Sequence, residues 1–453
     1  NPIMSIGAQT NPIIFSSSGK WYLVFNSNHE GEWGVYHKEL DKWQSKPVVR
    51  FKGVESIVSY SGNSTALYGS NRKGVYRLDV SSASASRIAI GNDFPKNIVN
   101  EFYQMFNEAW TLIDENFYDV DFHGVDWSEI RQYYYGYLGK VKTRAQLRTL
   151  INDMLNELNA SHMGFSSMGL EERSSTIFNS FNTGIIFDNQ NSYIVDRVLN
   201  MSPADYIGSP ILKGDRLVAV DGIEVNSGVN RNRYFYRAVY PKEIELIFIR
   251  DGKYYSVTLK TQNSSQLRDQ LYNEWEDYNR EYVEQIANGK VAYIHMRDMS
   301  SNSLEKFLVE MNSYAVHKQG LILDLRFNNG GNVHQEVIEF LRRRSHFRWR
   351  YRDHAEVSHP NYNPSDYPIV VLVNERSLSD AEVTSNGIKE LGIAKIIGTE
   401  TYRWIIFTSG ASLVDGSSLR LPAWGCYTLD GKNLEKSGVE PDIYIKNNFY
   451  HRI

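Results

Sequence analysis

Apolar residues recur along this chain in different rhythms, and each rhythm occupies its own stretch. Between residues 98 and 158 they fall three and four apart. Phe102, Met105, Phe106, Ala109, Trp110, Ile113 and Phe117 make one stripe, and Leu147, Leu150, Ile151, Met154, Leu155 and Leu158 make another. That spacing predicts amphipathic helices. Asp126 with Glu129, and Thr143 with Gln146, have the spacing of helix starts. The second stripe should end near Asn159, leaving Ser161 and His162 just beyond the helix. From 181 to 262 the pattern changes to short strand-like runs such as "TGIIFD", "DRLVAVDGIEV" and "IELIFIR", broken by Gly, Asp and Pro. After residue 290 the strand runs become continuous: "KVAYIHM", "LILDL", "IVVLV" and "AKIIG" alternate with helical stretches. This alternation predicts a parallel α/β sheet, whose functional groups sit at the carboxyl ends of its strands.

The front of the chain repeats itself. Residues 15–36 read "FSSSGKWYLVFNSNHEGEWGVY" and residues 58–76 read "VSYSGNSTALYGSNRKGVY", so that Gly34-Val-Tyr returns as Gly74-Val-Tyr. A period of about 40–45 residues suits four short strands, one propeller blade. A two-hairpin β-module is the alternative. Blades need several neighbours to bury their faces, so two repeats imply the C-terminal part of a longer protein. The domain reading is therefore β-propeller-like repeats over 1–95, a helical segment over 96–180, a small β module over 181–265 and an α/β domain over 266–453.

Composition narrows the functional classes only slightly. The chain has 453 residues, 42% hydrophobic and 23% charged, with a formal net charge of −4. It gives no electrostatic reason to expect nucleic acid, and the basic "LRRRSH" (341–346) reads as a solvated helix end. No apolar run approaches the roughly 18 residues of a membrane-spanning helix, so no membrane insertion is expected. Cys426 is the single cysteine, which rules out an intrachain disulfide and a Cys-based zinc site. The start "NPIMSIG" is neither an initiator Met nor a signal segment. A periplasmic or cell-envelope location is preferred to a cytoplasmic one on that basis.

Two predicted strand ends carry candidate chemistry. After "LILDL" comes "RFNNGGN", where Gly330 and Gly331 could turn backbone N–H groups toward an anion. No Lys-Ser/Thr follows, so this is no P-loop; an oxyanion donor and an ordinary strand-helix turn both remain open. After "IVVLV" comes "NERSLSDAE". Ser379 with Glu382 has capping-box spacing, but the strand-turn-helix setting equally suits a nucleophile. A serine nucleophile needs a base within reach and a group orienting that base; among 11 histidines, spacing alone does not choose one. No H-E-x-x-H is present.

Six ordered motifs resolve the choice by resemblance: "NEAWTLIDENFYD … LNELNASHMGF", "GDRLVAVDGIEV", "LILDLRFNNGGN", "NERSLSDAE", "IIGTETY" and "LEKSGVEPDI". Together they resemble the tricorn proteases, within the wider C-terminal-processing (tail-specific) serine protease superfamily, over residues 98 to 445. "GDRLVAVDGIEV" itself resembles protease-borne PDZ domains, whose inserted helix would hold Ser202 to Tyr206. The resemblance implies a multidomain α/β chain with a β-propeller remnant, a PDZ-like module and a protease core made of the helical part and the parallel α/β domain. It implies His162 as general base, Ser161 as helper hydroxyl, Ser379 as nucleophile, the Asp380 N–H as one oxyanion donor and Gly330 or Gly331 as the other. Glu435 would orient the base through Ser161. The tail-specific branch uses a lysine after "IIGT"; here the loop reads "ETYRWIIFTSG", without one.

The expected function is thus a serine endopeptidase or oligopeptidase acting on unfolded or shortened peptides, with no metal or organic cofactor and a homo-oligomeric full-length form. The alternative is a catalytically inactive peptide-binding scaffold built on the PDZ-like and propeller parts, and a third reading is a hydrolase of small esters. Two local expectations accompany this. Ser377, or the backbone near it, should begin the helix and leave the Ser379 hydroxyl free, and activity should fall as His162 protonates, so that a flat rate from pH 5 to 8 would contradict it.

Overall fold

The computed structural model describes residues 7–42, 47–59, 66–89, 97–172, 179–206, 208–360 and 362–447. The chain divides into two units, Asn1–Lys96 and Asn97–Ile453. In the first, each sequence repeat lies within its own four-stranded antiparallel meander. One runs Gln9–Ser17, Lys20–Ser27, Gly34–Glu39 and Val49–Arg50; the other Ser56–Ser59, Leu67–Asn71, Gly74–Asp79 and Ser84–Arg87. Val24, Val35, Phe51, Val54 and Leu67 bury into one core shared by both sheets, so neither meander has a core of its own.

The second unit holds three principal cores. Helices Ile98–Asn116, Trp127–Tyr135 and Arg144–Asn156 pack their predicted stripes together, with Met105, Phe106, Ala109, Ile113, Leu147 and Ile151 fully buried. Fully burying each large side chain contributes about 1.5–3 kcal/mol relative to exposure. The predicted caps form: Asp126 Oδ1 accepts Glu129 N–H at 2.9 Å, and Thr143 and Gln146 close a reciprocal capping box. Asn159, at φ 44°, follows the last helix and turns the chain toward Ser161; asparagine tolerates this left-handed region better than most side chains.

Residues 179–263 form small antiparallel sheets, one with strands Arg216–Val220, Glu243–Arg250 and Lys253–Lys260, around a core of Val195, Leu217, Leu246 and Phe248. The helix expected over Ser202 to Tyr206 is absent; those residues make turns. Polar caps hold that turn instead, with Asp205 accepting the Met201 N–H at 2.7 Å.

The remaining core is the parallel sheet. Its strands lie in the order Val291–His295, Gly320–Asp324, Ile369–Val373, Lys395–Gly398 and Ile443–Tyr444, all pairs parallel. Helices Ser301–Ser313, His334–Leu341 and Asp380–Glu390 cover it. Because Gly320–Asp324 and Ile369–Val373 are neighbours in register, the loops leaving their carboxyl ends are adjacent. A separate antiparallel sheet joins Ile406–Ser412, Ser418–Gly425 and Gly164–Ser166. It carries the segment after His162 and buries Leu419 and Leu421 in the helical core.

Candidate active site

The loops bring the sequence-predicted residues to one place. The His162 Nε2 lies 3.1 Å from Ser379 Oγ, and its Nδ1 lies 2.8 Å from Ser161 Oγ. Ser161 in turn donates its hydroxyl to Glu435 Oε2 at 3.0 Å and its N–H to Glu435 Oε1 at 2.6 Å. Since the Ser161 hydroxyl donates to a carboxylate, it accepts from His162 Nδ1–H. That network assigns the tautomer whose unprotonated Nε2 faces Ser379. Ile405 N–H adds a third donor to Glu435, at 3.0 Å.

His162 is 6% exposed, and the indole of Trp404 lies 5.1 Å from its ring. Burial, with a smaller contribution from the nearby Arg420 cation, lowers its pKa to about 4. The imidazole is therefore neutral across the physiological range. The acidic limb expected near an ordinary histidine moves below pH 5, so a flat profile from pH 5 to 8 now agrees with His162 as the titrating base.

The serine-rich loop departs from expectation at its cap. The helix begins at Asp380, so Ser379 itself occupies the N-cap position and Ser377 lies before it. Ser377 is instead buried, donating to Leu325 O at 2.8 Å and accepting Asn374 N–H at 3.0 Å. It ties the loop to the neighbouring strand end. Ser379 sits at φ 54° and ψ −114°, a conformation costly for a residue with a Cβ. Glu382 holds it there by accepting the Ser379 N–H at 3.0 Å. The same carboxylate, fully buried, accepts the Trp404 and Arg403 N–H groups at 2.9 Å each and the Thr401 hydroxyl. Burial pushes the Glu382 carboxyl up, against the pull of those donors. Glu382 thus joins the serine loop to the loop that supplies Trp404. The capping-box spacing pointed to Glu382, but not to its second set of partners.

The glycine turn faces Ser379. A Cβ on Gly330 would lie 2.7 Å from Ser379 Cβ, and one on Gly331 would lie 2.1 Å from Met299 O. Only glycine permits both approaches. Gly330 is not an available donor, because its N–H bonds to the buried Asn328 Oδ1 at 2.8 Å. Among the described residues, the N–H groups of Gly331 and Asp380 have no acceptor. Both residues line a cavity of about 480 Å³ with His162 and Ser379. The Asp380 carboxylate turns away, accepting Val333 N–H (2.7 Å), His334 N–H (3.0 Å) and His334 Nδ1 (2.6 Å). That pairing raises the His334 pKa.

Residues 290–445 match the model of peptidase family S41, and residues 98–156 match the tricorn protease C1 domain. Over these residues the chain is similar to S41 peptidases and to tricorn proteases. Tricorn protease of Thermoplasma acidophilum is 29% identical over 77% of this chain and 33% of its own length. That of Thermoplasma volcanium is 28% identical over 77% and 34%. The tricorn-like chain thus spans about a third of the length of these curated relatives. Its fold superposes on the crystal structure of the tricorn protease with a TM-score of 0.79, at 23% identity, covering 97% of this chain and 44% of that one.

Two features of the tricorn-like site lay outside the sequence reading. Glu435 is half-buried, and with Ser161 and Trp404 it borders a second cavity of about 740 Å³. Arg420 projects into the same cavity as His162 and Ser379. It comes from a strand that no motif marked, and only the strand register places it there. Arg403, in the loop where the tail-specific branch has lysine, pairs with Glu400 at 2.9 Å.

Proposed function

We propose that this chain is a serine peptidase in which Ser379 attacks the substrate carbonyl, His162 is the general base, and Glu435 acts on His162 through Ser161. The observation that carries this reading is the unbroken hydrogen-bond chain Glu435–Ser161–His162–Ser379, ending beside two unpaired N–H groups in one cavity. As Ser379 Oγ bonds to the carbonyl carbon, its proton passes to His162 Nε2. The imidazolium is stabilised through Nδ1–H to Ser161 and onward to the Glu435 carboxylate. The carbonyl oxygen becomes an oxyanion facing the Gly331 and Asp380 N–H groups; one such donor is typically worth about 3 kcal/mol of transition-state stabilisation. The imidazolium then protonates the leaving amine. A water, deprotonated by the same His162, releases the acyl group.

The hydrogen-bond chain through His162 and the lack of lysine between Thr399 and Ala411 support the Ser-His-Ser-Glu arrangement over a Ser-Lys dyad. The substrates proposed are unfolded or already shortened peptides. The first unit is read as propeller blades of a longer, homo-oligomeric protein, and residues 181–265 as a PDZ-like module. A serine-reactive phosphonate tests the site. Covalent labelling of the wild type at Ser379, lost in Ser379→Ala, supports the reading, whereas labelling elsewhere or not at all in a folded chain rejects it.

A further inference from the structure

Arg420 stands out among the charged groups near Ser379 because nothing uses its charge. It lies on the strand Ser418–Gly425, between buried Leu419 and Leu421, so its side chain takes the opposite face from the helical core. Across the sheet its register partners are Gly164 and Gly410. Neither has a side chain, which leaves room around the guanidinium. Its Nε donates to Thr408 Oγ1 at 3.3 Å, a contact that aims the planar fork. Among the described residues no carboxylate pairs with this exposed arginine within salt-bridge distance, whereas Arg144, buried in the same unit, has Glu171 and Asp415. The sole carboxylate lining the cavity, Asp380, is already committed to Val333 and His334.

This cation also works against the chemistry beside it. It lies close enough to His162 to disfavour the imidazolium that proton transfer creates. A group of the opposite sign would cancel that field, and guanidinium is suited to grip a carboxylate with two parallel N–H bonds. Phe407 and Trp424 wall the same cavity and suit the methylene stem that carries such a group.

We propose that Arg420 is the binding site for a substrate carboxylate next to the scissile bond. This rests on the peptidase reading above. Two sources share that chemistry: an Asp or Glu side chain flanking the cleaved bond, and the free C-terminal carboxylate of a short peptide. Because the bound carboxylate also neutralises Arg420 near His162, its effect enters kcat as well as KM.

The test uses the full chain and three sets of fluorogenic peptides of one scaffold. One set carries Glu at each position flanking the cleaved bond and an amidated C-terminus; the second carries Gln there, also amidated. The third carries Gln and a free carboxylate two residues past the cleaved bond. Wild type should prefer a carboxylate peptide to its neutral counterpart by at least tenfold in kcat/KM, the scale of one charge-assisted hydrogen bond. Preference in the first set identifies a side chain, and in the third a chain terminus. In Arg420→Gln that ratio should fall to within about twofold of unity, while Arg420→Lys should restore part of it. Cleavage of all three sets at equal rates by the wild type overturns the proposal and leaves the peptidase reading standing. Failure to cleave any of them, together with no phosphonate labelling, overturns both. The wild-type comparison stands even if a variant fails to fold.

Discussion

Replacing Glu382 tests how the Ser379 loop is held. The carboxylate is 0% exposed, and its two oxygens divide four donors: Ser379 N–H and Trp404 N–H on Oε1, Thr401 Oγ1 and Arg403 N–H on Oε2. Glutamine keeps the shape but presents an amide NH2 to one of these pairs. If the NH2 replaces Oε1, two backbone N–H groups lose their acceptor. If it replaces Oε2, Thr401 can rotate to accept, and the Arg403 N–H alone is orphaned. The second orientation is the cheaper one. An orphaned buried donor costs about 1–3 kcal/mol. The regained cost of burying an anion, visible in the raised pKa of Glu382, offsets part of this, so Glu382→Gln should lose about 1–2 kcal/mol. It keeps the bond to Ser379, and hydrolysis should persist at a reduced rate. Glu382→Ala strands three N–H groups and frees the Ser379 amide. It should be at least about 3 kcal/mol less stable by the same figure and inactive. Urea unfolding followed by far-UV circular dichroism, read beside kcat/KM for one peptide, separates the two variants. Equal stability and equal activity in Glu382→Ala and wild type would refute the reasoning.

Other outcomes follow from the same geometry. A kcat/KM profile should be flat from pH 8 to 5 and fall tenfold per pH unit below about 4, where His162 protonates; a limb at 6–7 would mean that a solvated histidine acts. The same shift predicts loss of stability on acidification between about pH 6.5 and 4, because the unfolded His162 takes up a proton that the folded one refuses. His162→Asn should lose that component in an acid-titration melt. Ser161→Ala cuts the path from His162 Nδ1 to Glu435. It should lower kcat by about 1.5–3 kcal/mol of transition-state stabilisation with KM nearly constant, whereas an equal rise in KM would point to a substrate contact. His162→Ala and Ser379→Ala should each abolish hydrolysis and leave the far-UV circular dichroism spectrum unchanged.

Much of the frame was legible in order. The 102–117 stripe, the Thr143–Gln146 box and the continuous apolar strands each report on neighbours a few residues away, which is the range of periodicity. The site was legible only through the ordered motifs. Ser379 and Glu382 have the same spacing whether the serine caps a helix or faces a base, and the deciding partner, His162, is separated from Ser379 by 217 positions. The choice between Gly330 and Gly331 turned on where the Asn328 side chain points, which no spacing encodes. Arg420 was invisible for a related reason: its meaning comes from facing Gly164 and Gly410 across two strand pairings.

The two side chains proposed to react share one backbone peculiarity, with Ser379 at φ 54° and His162 at φ 60°. Each holds a conformation that costs a residue with a Cβ on the order of 1–3 kcal/mol. Glycine adopts it freely. A Ser379→Gly chain, without the proposed nucleophile, would therefore relax and melt at a higher temperature than the wild type. Selection for heat resistance alone would drift toward dead protein at these two positions, so a thermal-shift library of this chain must be scored for turnover in the same wells.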